Sequence, residues 1–102
     1  MKYQPTQSEK ELFNVVTSLQ TEKETLCFLR DLLTEAELKE FSNRWKVAQM
    51  LDKKIVYKDI EDATGMSSTT IARIQKWLTN GMNGYKKMLI KINTSNTHHL
   101  PL

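Results

Sequence analysis

The sequence predicts an all-α fold of about six helices that contains a helix-turn-helix, and three observations favour it. Side chains at the spacing of a helix capping box recur in the first 40 residues, and three such pairs are assigned to helix starts. Apolar residues recur every three or four positions, which is the period of an amphipathic helix. Gly65 separates two short helical patterns within residues 57–78. A chain of 102 residues suffices for one small domain, which we place at residues 1–93.

Three capping boxes mark the starts of the first three helices. In a capping box, a Ser or Thr and a Glu three residues later pair with backbone N–H groups that the first turn leaves free. The helices that follow are predicted to span about residues 9–18, 22–32 and 35–52. The pairs that predict them are Ser8 with Glu11, Thr21 with Glu24, and Thr34 with Glu37.

The two helices of the helix-turn-helix, predicted within residues 57–78, meet at Gly65. Ile60 and Ala63 form the apolar side of the first helix, and glycine supplies the positive φ that a tight helix exit prefers. Either Ser67 or Ser68 can cap the second helix. In such a motif the second helix is presented to the DNA major groove. Its buried stripe is expected to be Ile71, Ile74 and Leu78.

A sixth helix is predicted over about residues 85–92, after turn signals at Asn80-Gly81 and Asn83-Gly84. Residues 94–102 show no helical period and are expected to form a disordered tail. The tail contains His98 and His99, but no carboxylate or thiolate lies near them in the sequence. We therefore expect no metal site there.

The net charge of +3 conceals an asymmetry along the chain. Residues 1–62 contain all twelve acidic residues and ten basic ones, whereas residues 63–102 contain five basic residues and no acidic one. A protein that neutralises phosphates needs its cations gathered on the contacting surface. The basic third of the chain therefore favours DNA binding, with a solvated basic face or an ordinary helical hairpin as the alternatives.

Other functional classes find no support in the sequence. It contains no glycine-rich phosphate loop, metal-ligand spacing or nucleophile paired with a base, so we expect neither an enzyme nor a cofactor. No apolar run approaches the ~20 residues that span a membrane, and residues 1–10 lack a signal-peptide core. We therefore expect a cytoplasmic protein with no membrane contact. Cys27, the single cysteine, is expected to be a buried structural thiol.

Two stretches of sequence carry a family resemblance. They are FLRDLLTEAELKEFSNRWKVAQML at residues 28–51 and YKDIEDATGMSSTTIARIQKWLTNGMNGYKKML at residues 57–89. In these stretches the chain resembles the Trp-repressor superfamily, most closely its bacterial branch of Trp-repressor-like proteins of the YerC/YecD type. The resemblance implies an intertwined homodimer and a transcription regulator, a repressor, that reads a roughly palindromic operator in double-stranded DNA.

The resemblance also implies a DNA-contacting surface. Arg73 could contact a phosphate or a guanine, or it could belong to a ligand pocket. An all-α dimeric interaction module that has lost DNA binding is the alternative, because three acidic residues on the first helix of the motif would repel a phosphate backbone that they faced. Those acids are Asp59, Glu61 and Asp62. The DNA-contacting set is Lys58, Ser67, Ser68, Thr69, Thr70 and Ala72, to which the cations on the second helix add Arg73 and Lys76.

A vestigial ligand pocket is a further implication of the resemblance. In the Trp repressor, tryptophan lies between two arginines, whose counterparts here are Arg44 and Arg73, with Thr34 nearby. The repressor has a glycine beside the indole, and Ile74 stands at that position here. A branched side chain should fill the space of the ring. We therefore expect that L-tryptophan is not a cofactor.

Overall fold

The computed structural model describes the backbone of residues 3–99 and the side chains of residues 3–94. Within that range the chain is all-α, as predicted, and none of its helices is both long and apolar enough to cross a membrane. The described chain divides into two compact units, one up to Lys39 and one from Glu40 onward. The helices are α1 (Gln7–Thr17), α2 (Glu22–Leu32), α3 (Glu35–Asp52), α4 (Tyr57–Thr64), α5 (Ser68–Asn80) and α6 (Gly84–His99).

Helix α1 begins two residues earlier than predicted, because its capping box is Thr6 with Glu9. The Thr6 hydroxyl oxygen accepts a hydrogen bond from the Glu9 backbone N–H at 3.1 Å, and the Glu9 carboxylate accepts one from the Thr6 N–H at 2.9 Å. The Tyr3 hydroxyl donates a third bond to Glu9 at 2.8 Å. The predicted box of Ser8 with Glu11 is therefore wrong: the same spacing occurs two residues earlier, where Tyr3 adds a bond.

The starts of α2 and α3 agree with the prediction. Thr34 and Glu37 form the complete box. The Thr34 N–H donates to the Glu37 carboxylate at 2.9 Å, and the Glu37 N–H donates to the Thr34 hydroxyl oxygen at 3.1 Å. At α2 the Thr21 side chain caps the Glu24 N–H at 3.0 Å, but the Glu24 carboxylate accepts its bond from the Gln20 N–H instead. Local hydrogen bonds therefore fix both helix starts.

The N-terminal unit has apolar side chains but no core of its own. Neither α1 nor α2 contains a buried residue. The expectation of a buried Cys27 is wrong for the single chain, because the cysteine lies exposed on α2. Exposed large apolar side chains in such number are typical of an interaction site. The exposed apolar side chains of the two helices are Leu12, Phe13, Val15, Val16, Leu26 and Leu32.

The core lies in the C-terminal unit and joins its four helices. The rings of Trp45 on α3 and Tyr85 on α6 stack beside it, with centroids 6.3 Å apart. On α4 only Ile60 is buried. Ala63, which the sequence places on the same face, is exposed, so this two-turn helix contributes a single side chain to the core. The core residues are Val47, Ala48, Leu51, Ile60, Ile71, Ile74, Leu78 and Leu89.

Helix α6 runs to His99, whereas the sequence predicts a helix end near Ile92 and a disordered tail over residues 94–102. No glycine or proline lies between Tyr85 and His99, so nothing in the backbone chemistry ends the helix earlier. The helical backbone therefore corrects the tail prediction for residues 94–99. Residues 100–102 and the side chains of His98 and His99 lie outside the described part of the chain.

Candidate nucleic-acid interface

The turn between α4 and α5 is built from three residues with defined roles. Gly65 ends α4 in the left-handed region, with φ at +72°, and its N–H donates to the Glu61 carbonyl at 2.8 Å. The Met66 N–H donates to the Thr64 hydroxyl at 3.2 Å. Of the two candidate caps, Ser67 caps α5 by accepting a 3.2 Å hydrogen bond from the Thr70 N–H. The predicted turn glycine is confirmed.

One side of α5 is fixed in the core, and this leaves the opposite side to solvent. Ile71 and Ile74 have no exposed surface, and Leu78 is also buried. Because residues at i, i+3 and i+7 share one face of a helix, the residues between them point away from the core. Thr70 is half-buried and receives a hydrogen bond from the Ser67 hydroxyl. The exposed residues of the opposite side include Ser68, Thr69, Ala72, Arg73 and Lys76.

The exposed side of α5 can donate hydrogen bonds and carries positive charge. Its first turn contains no acidic residue, so no carboxylate neutralises the partial positive charge at the N-terminus of the helix. Arg73 and Lys76 form no ion pair with any residue in the described part of the chain. Hydroxyl, guanidinium and ammonium groups are the donors that proteins present to phosphates and base edges.

Helix α4 brings both a cation and acids to the motif. The Lys58 ammonium nitrogen lies 4.0 Å from an Asp62 carboxylate oxygen, and both side chains are largely exposed. A solvent-exposed pair of this kind contributes little, about 0–1 kcal/mol, so Lys58 can exchange it for a phosphate at small cost. Asp59 is also exposed, whereas Glu61 is half-buried.

An exposed apolar pair beside Lys58 was missed from the sequence. Val56, the N-cap residue of α4, and Tyr57, its first residue, have 61% and 37% of their surfaces exposed. Together with Ile55 they look like an ordinary apolar run, which hides their exposure. Val56 occupies the N-cap position, where Ser, Thr, Asp or Asn is preferred, and it makes no side-chain capping bond. An apolar residue just before a predicted helix start is the sequence feature that could have indicated this exposure.

The four positions of the expected pocket have different surroundings. The Arg44 side chain pairs with Glu40 at 3.2 Å within α3, Arg73 is exposed, and Ile74 is part of the core. Thr34 belongs to the N-terminal unit, where it caps α3. Burial raises the pKa of the Tyr85 hydroxyl, and the positive charge of Arg44 opposes that rise.

Among the described residues, no group of three His, Cys, Asp or Glu side chains could hold a metal ion. The exposed side of α5 presents hydroxyl, guanidinium and ammonium groups on a helix surface. With the backbone positions fixed by the core, such a surface can recognise an extended, negatively charged partner.

Comparison with known proteins gives consistent matches over most of the chain. A family model described as Trp repressor protein matches residues 7–93. The uncharacterized protein YerC of Bacillus subtilis (strain 168) is 34% identical over 87 residues, which are 85% of this chain and 84% of that protein. The crystal structure of a TrpR-like protein from Eubacterium eligens superposes with a TM-score of 0.82 at 34% identity, covering 86% of this chain and 91% of the other. A Staphylococcus aureus crystal structure gives the same TM-score at 31% identity, covering 87% and 89%.

Proposed function

This chain belongs to the Trp repressor family, and from that premise we propose that it is a sequence-specific DNA-binding transcription regulator, a repressor, that acts in the cytoplasm. The similarity to YerC places it beside the YerC/YecD type that its sequence resembles. The observation that carries the proposal is the exposed, acid-free side of α5, which follows a helix-turn-helix turn at Gly65. Helix α5, called the recognition helix below, would enter the major groove and α4 would brace it.

The regulator is proposed to be a homodimer. Helices α1 and α2 bury no residue in the single chain, and their apolar side chains need a covering partner. A second copy supplies one with two-fold symmetry. Two recognition helices would then lie about one DNA turn, ~34 Å, apart and read a roughly palindromic operator.

The proposed contacts are tested by removing cations one at a time. Arg73→Ala and Lys76→Ala should each weaken operator binding, and loss of a phosphate contact should reduce the salt slope of log affinity by about one unit. The matched control is Lys91→Ala, which removes an exposed cation from the same basic third of the chain but from α6. Fluorescence anisotropy with labelled duplex DNA measures all three. Unchanged affinity and slope in both recognition-helix variants would contradict the assigned face.

L-Tryptophan is proposed not to be a corepressor. Ile74 has no exposed surface and lies in the core, and Arg44 already has a carboxylate partner in Glu40. Calorimetric titration of the protein with L-tryptophan should therefore give no binding heat. Micromolar binding would overturn this part of the proposal and would assign a ligand role to Arg44 and Arg73.

A second candidate function is a dimeric interaction module without DNA binding. The acids of α4 favour it, because Asp59 and Asp62 are exposed on the helix that would cross the DNA backbone. The two functions differ in one simple measurement. A regulator binds any duplex DNA weakly and with a steep salt dependence, whereas the module shows no such binding even at low salt.

A further inference from the structure

Two Asn-Gly pairs lie where α5 ends and α6 begins, and the proposed function gives neither of them a role. Asn80 is the last residue of α5 and Gly81 follows it, whereas Asn83 directly precedes Gly84, the first residue of α6. All four residues are exposed to solvent. In an Asn-Gly pair the glycine nitrogen can attack the asparagine side-chain amide with little hindrance, because glycine has no side chain and its backbone is conformationally free.

The first pair is held by the end of α5. The Gly81 N–H donates to the Trp77 carbonyl oxygen at 2.9 Å, so the nitrogen that would attack Asn80 is already engaged. A Cβ at Gly81 would overlap that carbonyl oxygen, which shows how closely the backbone is packed there. The buried side chain of Leu78 anchors the same turn in the core. Attack on Asn80 therefore requires the last turn of α5 to open.

The second pair lacks these restraints. Among the described residues, 3–94, no group accepts a hydrogen bond from the Gly84 N–H, and the Asn83 side chain makes none. Apart from its chain neighbours and its own helix, no heavy atom lies within 4 Å of the place where a Cβ of Gly84 would be. Asn83 has a φ of +66°, in the left-handed region. Rotation of the peptide that follows it breaks the 3.0 Å bond from the Lys87 N–H to the Asn83 carbonyl oxygen, at a helix terminus, where local opening costs little.

We propose that Asn83 is a site of spontaneous deamidation and that the fold protects Asn80 from the same reaction. The Gly84 backbone nitrogen gives up its proton to water and forms a bond to the Asn83 side-chain carbonyl carbon. The C–N bond of that amide breaks, and its nitrogen takes up a proton and leaves as ammonia. One water molecule then opens the five-membered succinimide ring at either of its two carbonyl carbons. One opening leaves aspartate at position 83, and the other leaves isoaspartate, in which the main chain runs through the former side chain.

The two products change the chain in different ways. Either one places a carboxylate within residues 63–102, which contain five basic residues and no acidic one, so the net charge of this segment falls from +5 to +4. Aspartate is a favourable residue directly before a helix, where its negative charge meets the positive end of the helix dipole. Isoaspartate lengthens the main chain by one carbon and replaces the carbonyl group that accepts the Lys87 N–H. Products of equal mass and charge therefore differ in stability.

Incubation of the full chain at mildly alkaline pH, followed by peptide mapping, tests the proposal. Cleavage after Lys76 and Lys86 releases both Asn-Gly pairs in one peptide, and fragmentation assigns the conversion to each asparagine. Digestion in ¹⁸O-water marks any conversion that occurs during the digestion itself. Protein held in urea is the reference, because both pairs then belong to an unfolded chain. We expect Asn83 to convert at least several-fold faster than Asn80 in the folded protein, and the two to convert at similar rates in urea.

Two variants isolate the reacting pair. Gly84→Ala places a Cβ in open space beside the attacking nitrogen, so it should keep the wild-type circular dichroism spectrum and lose most of the conversion at Asn83. Asn83→Asp reproduces one product and should melt close to wild type. The isoaspartate form, purified from aged protein and detected with an isoaspartyl methyltransferase, should melt at a lower temperature than Asn83→Asp.

Three results would overturn the proposal. They are equal conversion of the two asparagines in the folded protein, faster conversion at Asn80, and no conversion at Asn83 over a period in which the sample in urea converts completely. None of these measurements involves DNA or the oligomeric state. The outcome is therefore independent of the proposed function.

Discussion

The Glu9 carboxylate accepts two hydrogen bonds at the first turn of α1, and these bonds make the stability of that turn depend on pH. The hydrogen bond from the Thr6 backbone N–H, and then that from the Tyr3 hydroxyl, hold the pKa of the Glu9 carboxyl below its ordinary value. Since the folded pKa is depressed, the stabilisation is present above the pKa of the unfolded chain and is lost as the pH falls through the folded pKa.

The prediction for Glu9 concerns the acid side of the stability profile. Acidification from pH 6 to below the lowered pKa should reduce helicity and melting temperature in wild type more than in Glu9→Gln, which cannot titrate. Circular dichroism against pH measures the difference. Glu22→Gln, in the first turn of α2, is the matched control and should retain the wild-type acid dependence. Identical profiles for Glu9→Gln and wild type would contradict a role for this carboxyl.

Three glycines differ in what a Cβ would meet, and this gives a graded prediction. Gly65→Ala should destabilise by about 1–2 kcal/mol because its φ of +72° lies in the left-handed region. Gly81→Ala should also destabilise, since the new Cβ would overlap the Trp77 carbonyl oxygen, a backbone atom that cannot move freely. Gly84→Ala is the control, with open space at its Cβ. Urea unfolding ranks the three, and a Gly84→Ala loss as large as the other two would contradict these assignments.

At the scale of elements, the recognition helix depends on the core for its orientation. Ile74→Ala removes side-chain volume from a position with no exposed surface and should cost about 2–5 kcal/mol of unfolding free energy. Val56→Ala truncates a mostly exposed aliphatic side chain and should change the free energy of unfolding by less than about 0.5 kcal/mol. Denaturant titrations compare them. Equal small losses would show that α5 is not held by this stripe.

The helix boundaries that depend on local chemistry were predicted from the sequence. The starts of α2 and α3 and the exit at Gly65 follow from hydrogen bonds within a few residues. The start of α1 was not, because Thr6 with Glu9 and Ser8 with Glu11 have the same spacing and only the contact with Tyr3 distinguishes them. The extension of α6 beyond Ile92 also escaped prediction, since polar residues permit a helix without requiring one.

The part of the candidate site that depends on local helical periodicity was predicted from the sequence. The buried stripe of α5 follows from its period, and the exposure of Arg73 and Lys76 follows from the stripe. The exposure of Cys27 could not be predicted, because the local pattern of α2 shows an apolar position but not which element, if any, covers it.

For the whole molecule, the two compact units differ in how far each buries its own apolar side chains. The C-terminal unit has a core and presents the recognition helix, whereas the helices of the N-terminal unit expose their apolar side chains. The proposed dimer satisfies both, because it covers the N-terminal helices and pairs two recognition helices on one duplex. Reading DNA and forming a dimer are therefore expected to be inseparable in this protein.

Selection of bound duplexes from a random DNA pool by the purified protein tests the central claim most directly. The account predicts enrichment of a roughly palindromic sequence, with half-site centres about 10 base pairs apart, and affinity that falls steeply with salt. Arg73→Ala should lose that enrichment, while Lys91→Ala should keep it. A pool that stays random after repeated rounds, with no salt-dependent binding to duplex DNA, would contradict the account.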